Sequence, residues 1–333
     1  MSSLLTEITE LATALGTMAE DLDGALARRP GELRQVPDQT WERVVAARLE
    51  GGHDDAFATA FANGRAFLAA LDGLRGRPPR LVEWKGPHRP PGDDVVPADL
   101  RIDHVYQVSC KYLSRITVNA GPARLFDRLL VGEERSGGDW FATVAPAEYQ
   151  MLYATVRDHV GAASLPDHVD DLDRAHREVL KRQLRGRAWP DELRAPWAHL
   201  CDAVATGSAR RWDASLGDRR RRLRMFWRLV RIGDAPYFVL GADGRTHLRL
   251  RIGSTWDWVQ AFELRSLDTF GRSAGQPEVG WRAVVRDRQA DVDRVVEGHV
   301  EVRWSHGRFQ GSPEAKVYLD TPHVEVPGHH PLV

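Results

Sequence analysis

The chain has 333 residues, 42% hydrophobic and 28% charged, an ordinary globular mixture long enough for two or more modules. Its 46 lysines and arginines balance 47 aspartates and glutamates, so net charge selects no class of partner; nearly all the basic residues are arginine. Cys110 and Cys201 are the only cysteines, no CxxC pair exists, and no run approaches 18 apolar residues, which excludes a disulfide framework, a zinc knuckle and a membrane span.

In chain order, Leu4, Leu5, Ile8, Leu11, Leu15, Met18 and Leu22 fall at helical spacing behind Ser2 and Ser3 as caps. This opening lacks the basic and apolar regions of a signal peptide, so a cytoplasmic location is expected. RRPGELRQVPDQ breaks the pattern, and helices resume over 40–50 and 54–73. RLVEWKG reads as a strand of seven residues, PHRPPGDD as a loop, and VPADLRIDHVYQVSCKYLSR (96–115) as two short strands. Pro122 opens a short amphipathic helix, PARLFDRLLVG. GDWFATVAP reads as a strand, and AEYQMLYATVRDHV, behind Pro146, as a helix. From 167 to 216 the chain is helical and charged. From Arg219 it alternates, with turn signals at GDAP and ADGR, and HVEVRWSHGRFQGSPEAKVYLDTP is a hairpin. The expected modules are an N-terminal helical region (1–53), a mixed α/β core (54–160), a charged helical segment (161–218) and a β-rich region (219–333).

Within 96–115, Asp99, Asp103, Ser109 and Lys111 share one strand parity, and Leu100, Ile102, Val108 and Cys110 the other. Alternation of this kind describes any half-buried sheet with cross-strand charge pairs. The order helix–β–β–β–helix–β adds something. With Pro97-Ala98-Asp99 at the second strand and Ser109-Cys110-Lys111 at the third, residues 54–145 resemble the PD-(D/E)xK nuclease superfamily, the fold of many restriction and repair endonucleases. The resemblance implies a restriction-endonuclease-like mixed sheet flanked by helices. It implies Mg²⁺ or Mn²⁺ held by Asp99 and the Cys110 backbone carbonyl, with Lys111 stabilising phosphate charge and orienting water. The family places a carboxylate where Ser109 stands. Glu83, on the preceding strand, is the preferred compensating acid, with Asp103 next and then Glu42 or Glu50. A competing register reads Glu83 and Lys85 as the ExK pair with Asp72 upstream.

Arg219, Arg220, Arg221, Arg222, Arg224, Arg228 and Arg231, beside Phe226 and Trp227, read either as a phosphate grip or as an exposed, salt-bridged approach to a strand. Trp256, Trp258, Trp281 and Trp304 are expected in a β core. His168, Asp170, Asp171, Asp173 and His176 read as an acid-rich helix start rather than a metal cluster. His329 and His330 are expected in a solvated tail. Cys110 is expected in the core, which argues against a thiol nucleophile paired with His104.

The expected function is metal-dependent DNA endonuclease activity, in restriction or anti-phage defence as the resemblance implies, with DNA as partner and a homodimer or accessory defence proteins as further partners. The alternatives are a catalytically inactive nuclease fold that binds nucleic acid or a partner protein, and an unrelated hydrolase or accessory protein.

Overall fold

The computed structural model describes residues 3–86, 98–112, 116–132, 138–186, 188–243 and 246–333. Pro97, the PHRPPGDD loop and the centre of the ADGR turn lie outside the described residues.

The chain begins with helices α1 (Leu4–Met18) and α2 (Leu22–Arg28), strand β1 (Leu33–Arg34), and helices α3 (Asp38–Glu50) and α4 (Asp54–Ala69). Strands β2 (Val82–Trp84), β3 (Leu100–Ile102), β4 (Tyr106–Tyr112) and β5 (Ile116–Ala120) follow. The middle is helical: α5 (Pro122–Phe126), α6 (Trp140–Val144), α7 (Pro146–Val160), α8 (Arg174–Gln183), α9 (Asp191–Leu216) and α10 (Arg219–Leu229). Then come β6 (Tyr237–Asp243), β7 (Thr246–Ile252), α11 (Thr255–Ala261), β8 (Phe262–Ser273), β9 (Pro277–Asp287), β10 (Val292–Arg303), β11 (Glu314–Leu319) and β12 (His329–Pro331). The fold is mixed α/β, as the sequence predicts.

The contacts divide it into two units. One comprises 1–115, 231–262 and 322–333; the other comprises 116–230 and 263–321. This cuts across the expected modules. The first 53 residues are not a separate region, because Ile8, Leu11, Leu15, Trp41 and Val44 pack in one core with Val82, Leu100, Val108 and Cys110. The C-terminal stretch is shared between the units, because β6, β7 and β12 pair into the first sheet.

The sheet of the first unit runs β1-β2-β3-β4-β6-β7-β12. β2, β3 and β4 form an antiparallel meander, and β6 lies parallel to β4. Val82, Trp84, Leu100, Ile102, Val108 and Cys110 are buried in the core that also holds Ile8, Leu11, Leu15, Phe57 and Phe67. Helices α1 and α4 touch backbone to backbone: a Cβ on Gly16 would lie 2.2 Å from the Phe61 carbonyl oxygen, and one on Gly64 2.1 Å from that of Thr13.

The second unit has a sheet of order β5-β11-β10-β9-β8, with the β5–β11, β11–β10 and β10–β9 pairs antiparallel. Val279, Trp281, Val300 and Val317 are fully buried. In the first unit, Trp258 is buried at 2% exposure, whereas Trp256 is 69% exposed. Trp304 is half-buried in an aromatic cluster with Phe141, Tyr149 and Phe309.

Four local readings are corrected. GDWFATVAP is helical, because the Asp139 side chain caps α6 by accepting from the Phe141 N–H. The arginine-rich stretch is helix α10, N-capped by Asp218, with Met225, Phe226 and Leu229 buried on one face. Ser254 and Asp257 cap each other at the start of α11, which interrupts the expected run of strands. His329 is no tail residue either: it is 6% exposed and pairs with Ile252 in the sheet.

Candidate functional site

The β3–β4 register, Leu100 opposite Val108, sets Asp99 against Ser109 at the end of the meander, with Lys111 on the Ser109 side of β4. The Asp99 N–H donates to the Val108 carbonyl at 2.8 Å, and the Asp99 carbonyl accepts from the Lys85 N–H at 2.9 Å. Strand β3 itself begins one residue later, at Leu100. The Asp99 carboxylate takes over: Oδ2 accepts from the Cys110 N–H at 2.7 Å and from the Ser109 hydroxyl at 3.3 Å. Asp99 and Ser109 are 6% and 0% exposed. Within a strand, the N–H and C=O of one residue point to the same side. Cys110 therefore turns both groups toward Asp99, while its side chain lies in the core, where burial and the nearby Asp99 and Glu10 charges push the thiol well up. A protonated, enclosed thiol is no nucleophile.

The other candidate acids do not join Asp99. Glu83 stands opposite Arg101, which binds it through two bonds of 2.6 and 2.7 Å, and His104 lies 3.2 Å from it. The Arg101 guanidinium, then His104, hold the Glu83 carboxyl below its usual range against the opposing effect of burial. Asp103 is off the strand, in a turn at φ 49°, where Oδ1 accepts from the N–H groups of Arg80 and Leu81 at 2.8 and 3.0 Å. In the competing register, Asp72 faces Arg251 at 3.7 Å while Glu83 is held by Arg101, so two different arginines claim the two acids. Glu42 and Glu50 are exposed on α3.

The acid that sequence reasoning passed over is Glu10. It is 6% exposed on α1, accepts from the Trp84 indole N–H at 2.5 Å, and acts electrostatically on Cys110 together with Asp99. Its signal was an acid between Ile8 and Leu11, on the helical face that packs on the sheet.

The arginines of α10 divide by face. Arg219 pairs with Glu263 at 2.5 Å, and Arg222 with Asp213 at 2.8 Å and the Leu267 carbonyl, so these two are structural. Arg220 is exposed. Arg221, Arg224 and Arg228 border a cavity of about 380 Å³, together with Arg128. Among the described residues, the side chains of Arg128 and Arg224 have no hydrogen-bond or ion-pair partner.

Elsewhere, Asp173 and His176 form a reciprocal capping box at α8, the helix-start reading of that cluster. Among the described residues, the group of three whose potential metal-ligating atoms lie within 4.8 Å of one another is Glu278, His299 and Glu301, across β9 and β10. Each already has partners. Arg303 lies 3.1 Å from Glu301 and Tyr318 donates to it at 3.1 Å; Gln276 donates to Glu278 at 3.3 Å; Asp320 lies 2.7 Å from the His299 Nδ1. That is an ion-pair network on a sheet face.

Comparison with protein-family models, curated proteins and solved structures gives no match to this chain.

Proposed function

We propose that the protein binds nucleic acid, DNA in the first place, through the arginines around α10 in its second unit, and that the nuclease-like sheet of its first unit does not assemble a catalytic metal site. One observation carries the reading. Arg128 and Arg224 are exposed, with side chains unpaired among the described residues, and they sit with Arg221 and Arg228 around one cavity. Arg221 pairs with Asp218 at 3.7 Å, but the guanidinium groups still outnumber their acids and repel one another, and a phosphate backbone relieves that repulsion through charge-assisted hydrogen bonds. Support for the nuclease-like sheet is the β2–β3–β4 meander followed by the parallel strand β6.

The test is DNA affinity against salt concentration. Arg128→Ala and Arg224→Ala should weaken binding and flatten the log–log slope by about 0.9 for each lost phosphate contact on a duplex. Arg219→Ala and Arg222→Ala should act on stability instead. A slope unchanged in the first pair returns those arginines to solvent and ends the proposal.

A second reading, metal-dependent DNA cleavage, has one observation in its favour: Cys110 turns its backbone toward the Asp99 carboxylate. The remaining donors do not fit Mg²⁺ or Mn²⁺, which ask for charged oxygens. Ser109 is neutral, Glu83 is bound by Arg101, and Asp103 holds a turn. Asp99→Asn separates the readings, because the amide oxygen still accepts from Cys110 and Ser109. We expect wild type and variant to bind DNA equally and neither to cut it in Mg²⁺ or Mn²⁺. Cleavage by wild type that disappears in Asp99→Asn, with binding intact, would make the protein an enzyme.

A further inference from the structure

The cavity beside α10 lies wholly within the second unit. Arg221, Arg224 and Arg228 recur three and four residues apart, so one helical face forms one wall. The turn after α5 forms the other, with Asp127, Arg128, Leu129 and Val131. Four arginines therefore face one carboxylate, and that carboxylate is already bound by Arg211 through bonds of 2.9 and 2.8 Å.

Arg221 faces the exposed Asp218 at 3.7 Å, whereas Arg228 is held without being neutralised. Arg228 donates to the Leu129 carbonyl, and Arg221 to the Ser215 carbonyl at 3.4 Å. Leu129 and Leu130 both adopt the left-handed conformation, at φ 53° and 64°, which leucine disfavours. The turn so formed carries the Leu129 carbonyl that Arg228 reaches. Arg124, just ahead of that turn in α5, has a buried Nε with no hydrogen-bond partner among the described residues. Arg228 is held below the usual arginine range, first by burial and then by the like charges of Arg224 and Arg124.

The lining also limits the ligand. It contains no aromatic ring, so nothing there stacks a base. Guanidinium forks match phosphoryl oxygens. An internal phosphodiester brings one charge and a phosphate monoester about two. Arg128, Arg224 and Arg228, which have no acid partner among the described residues, stand beside Arg221 and an aspartate already bound by Arg211, and that excess matches the higher charge.

We infer that this cavity receives a multiply charged phosphate, either a free diphosphate or the terminal phosphate of a nucleic-acid strand, rather than an internal phosphodiester. The strand-end source rests on the nucleic-acid reading; the free source does not.

The experiment is calorimetric titration of the full chain with sodium pyrophosphate, with sulfate at equal ionic strength as the control. Wild type should bind pyrophosphate at least tenfold more tightly than sulfate. Arg128→Ala combined with Arg224→Ala should lose about tenfold or more of that affinity. Both side chains are exposed and unpaired among the described residues, so the unliganded variant should melt as wild type does. Arg182→Ala, exposed on α8, should change nothing. Two oligonucleotides differing only in a 5′-phosphate then identify the source. Tighter binding of the phosphorylated twin, competed by pyrophosphate, assigns the strand end; equal binding with pyrophosphate still held assigns the free diphosphate. Pyrophosphate bound no better than sulfate, or bound equally by the double variant, overturns the inference. DNA binding that survives such a result leaves the nucleic-acid reading standing. Pyrophosphate binding without any DNA binding removes that reading and keeps the cavity's role.

Discussion

Glu83 illustrates how a buried acid is committed by its neighbours. Arg101, directly across the ladder, and His104, in the following turn, both reach its carboxylate. Its folded-state carboxyl is lowered from the usual 4.5, first by the Arg101 hydrogen bond. A depressed carboxyl contributes stability that is fully present above the unfolded value and is lost as pH falls through the folded value. Glu83→Gln should therefore lower the urea midpoint at neutral pH, and the gap to wild type should close on the acid limb below about pH 4. A gap that stays constant down the acid limb would show that the ion pair is not its source. Asp99 is committed differently, as the acceptor that ends a strand pair. For Asp99→Ala, which orphans the buried Cys110 N–H, a loss of about 1–3 kcal/mol is expected, and for Asp99→Asn far less; urea denaturation of the two variants checks this.

Helices α1 and α4 owe their close approach to two glycines. An alanine in place of glycine inside a helix normally adds about 1 kcal/mol of stability. Gly16→Ala and Gly64→Ala should do the opposite, because the added methyl would fall 2.2 or 2.1 Å from a carbonyl oxygen of the facing helix. Overpacking of this kind costs about 1–3 kcal/mol. Thermal melting of either variant above wild type would contradict the packing. Helix α10 carries the opposite lesson about reading an element. Its arginines obscure a short apolar face of Met225, Phe226 and Leu229, while the cap residue, Asp218, lies just ahead of the run.

The first unit is assembled from three separated pieces of chain. Its last strand, β12, pairs with β7, and the Trp258 indole N–H donates to the Pro327 carbonyl at 3.1 Å. The Asp72 N–H donates to the Val333 carbonyl at 3.1 Å. Removing 322–333 should therefore loosen an edge of a sheet whose first strands lie hundreds of residues earlier. Hydrogen exchange at Arg249–Ile252 should accelerate in the truncated chain while the strands of the second sheet stay protected. Unchanged protection at β7 would mean that β12 does not hold the edge.

Much of this was legible from local pattern. The helices of 4–18, 38–50, 54–69 and 146–160 follow apolar spacing and caps, and the two faces of 99–111 follow strand parity, because both periods are properties of a few consecutive residues. Parity likewise put Cys110 in the core and Ser109 and Lys111 on the other face. It was silent on what occupies each carboxylate. Arg101 and His104 around Glu83, Arg80 and Leu81 around Asp103, and the Cys110 N–H on Asp99 depend on register and on the turn at 103–105. The same holds for the sheet itself. β6, β7 and β12 join β4 across more than a hundred intervening residues, and no local period encodes such a pairing. The arginine cavity needed both levels. Helical spacing aligned Arg221, Arg224 and Arg228, and only the tertiary structure brought Arg128 and the left-handed Leu129–Leu130 turn to face them, because a concave site is a relation between segments distant in sequence.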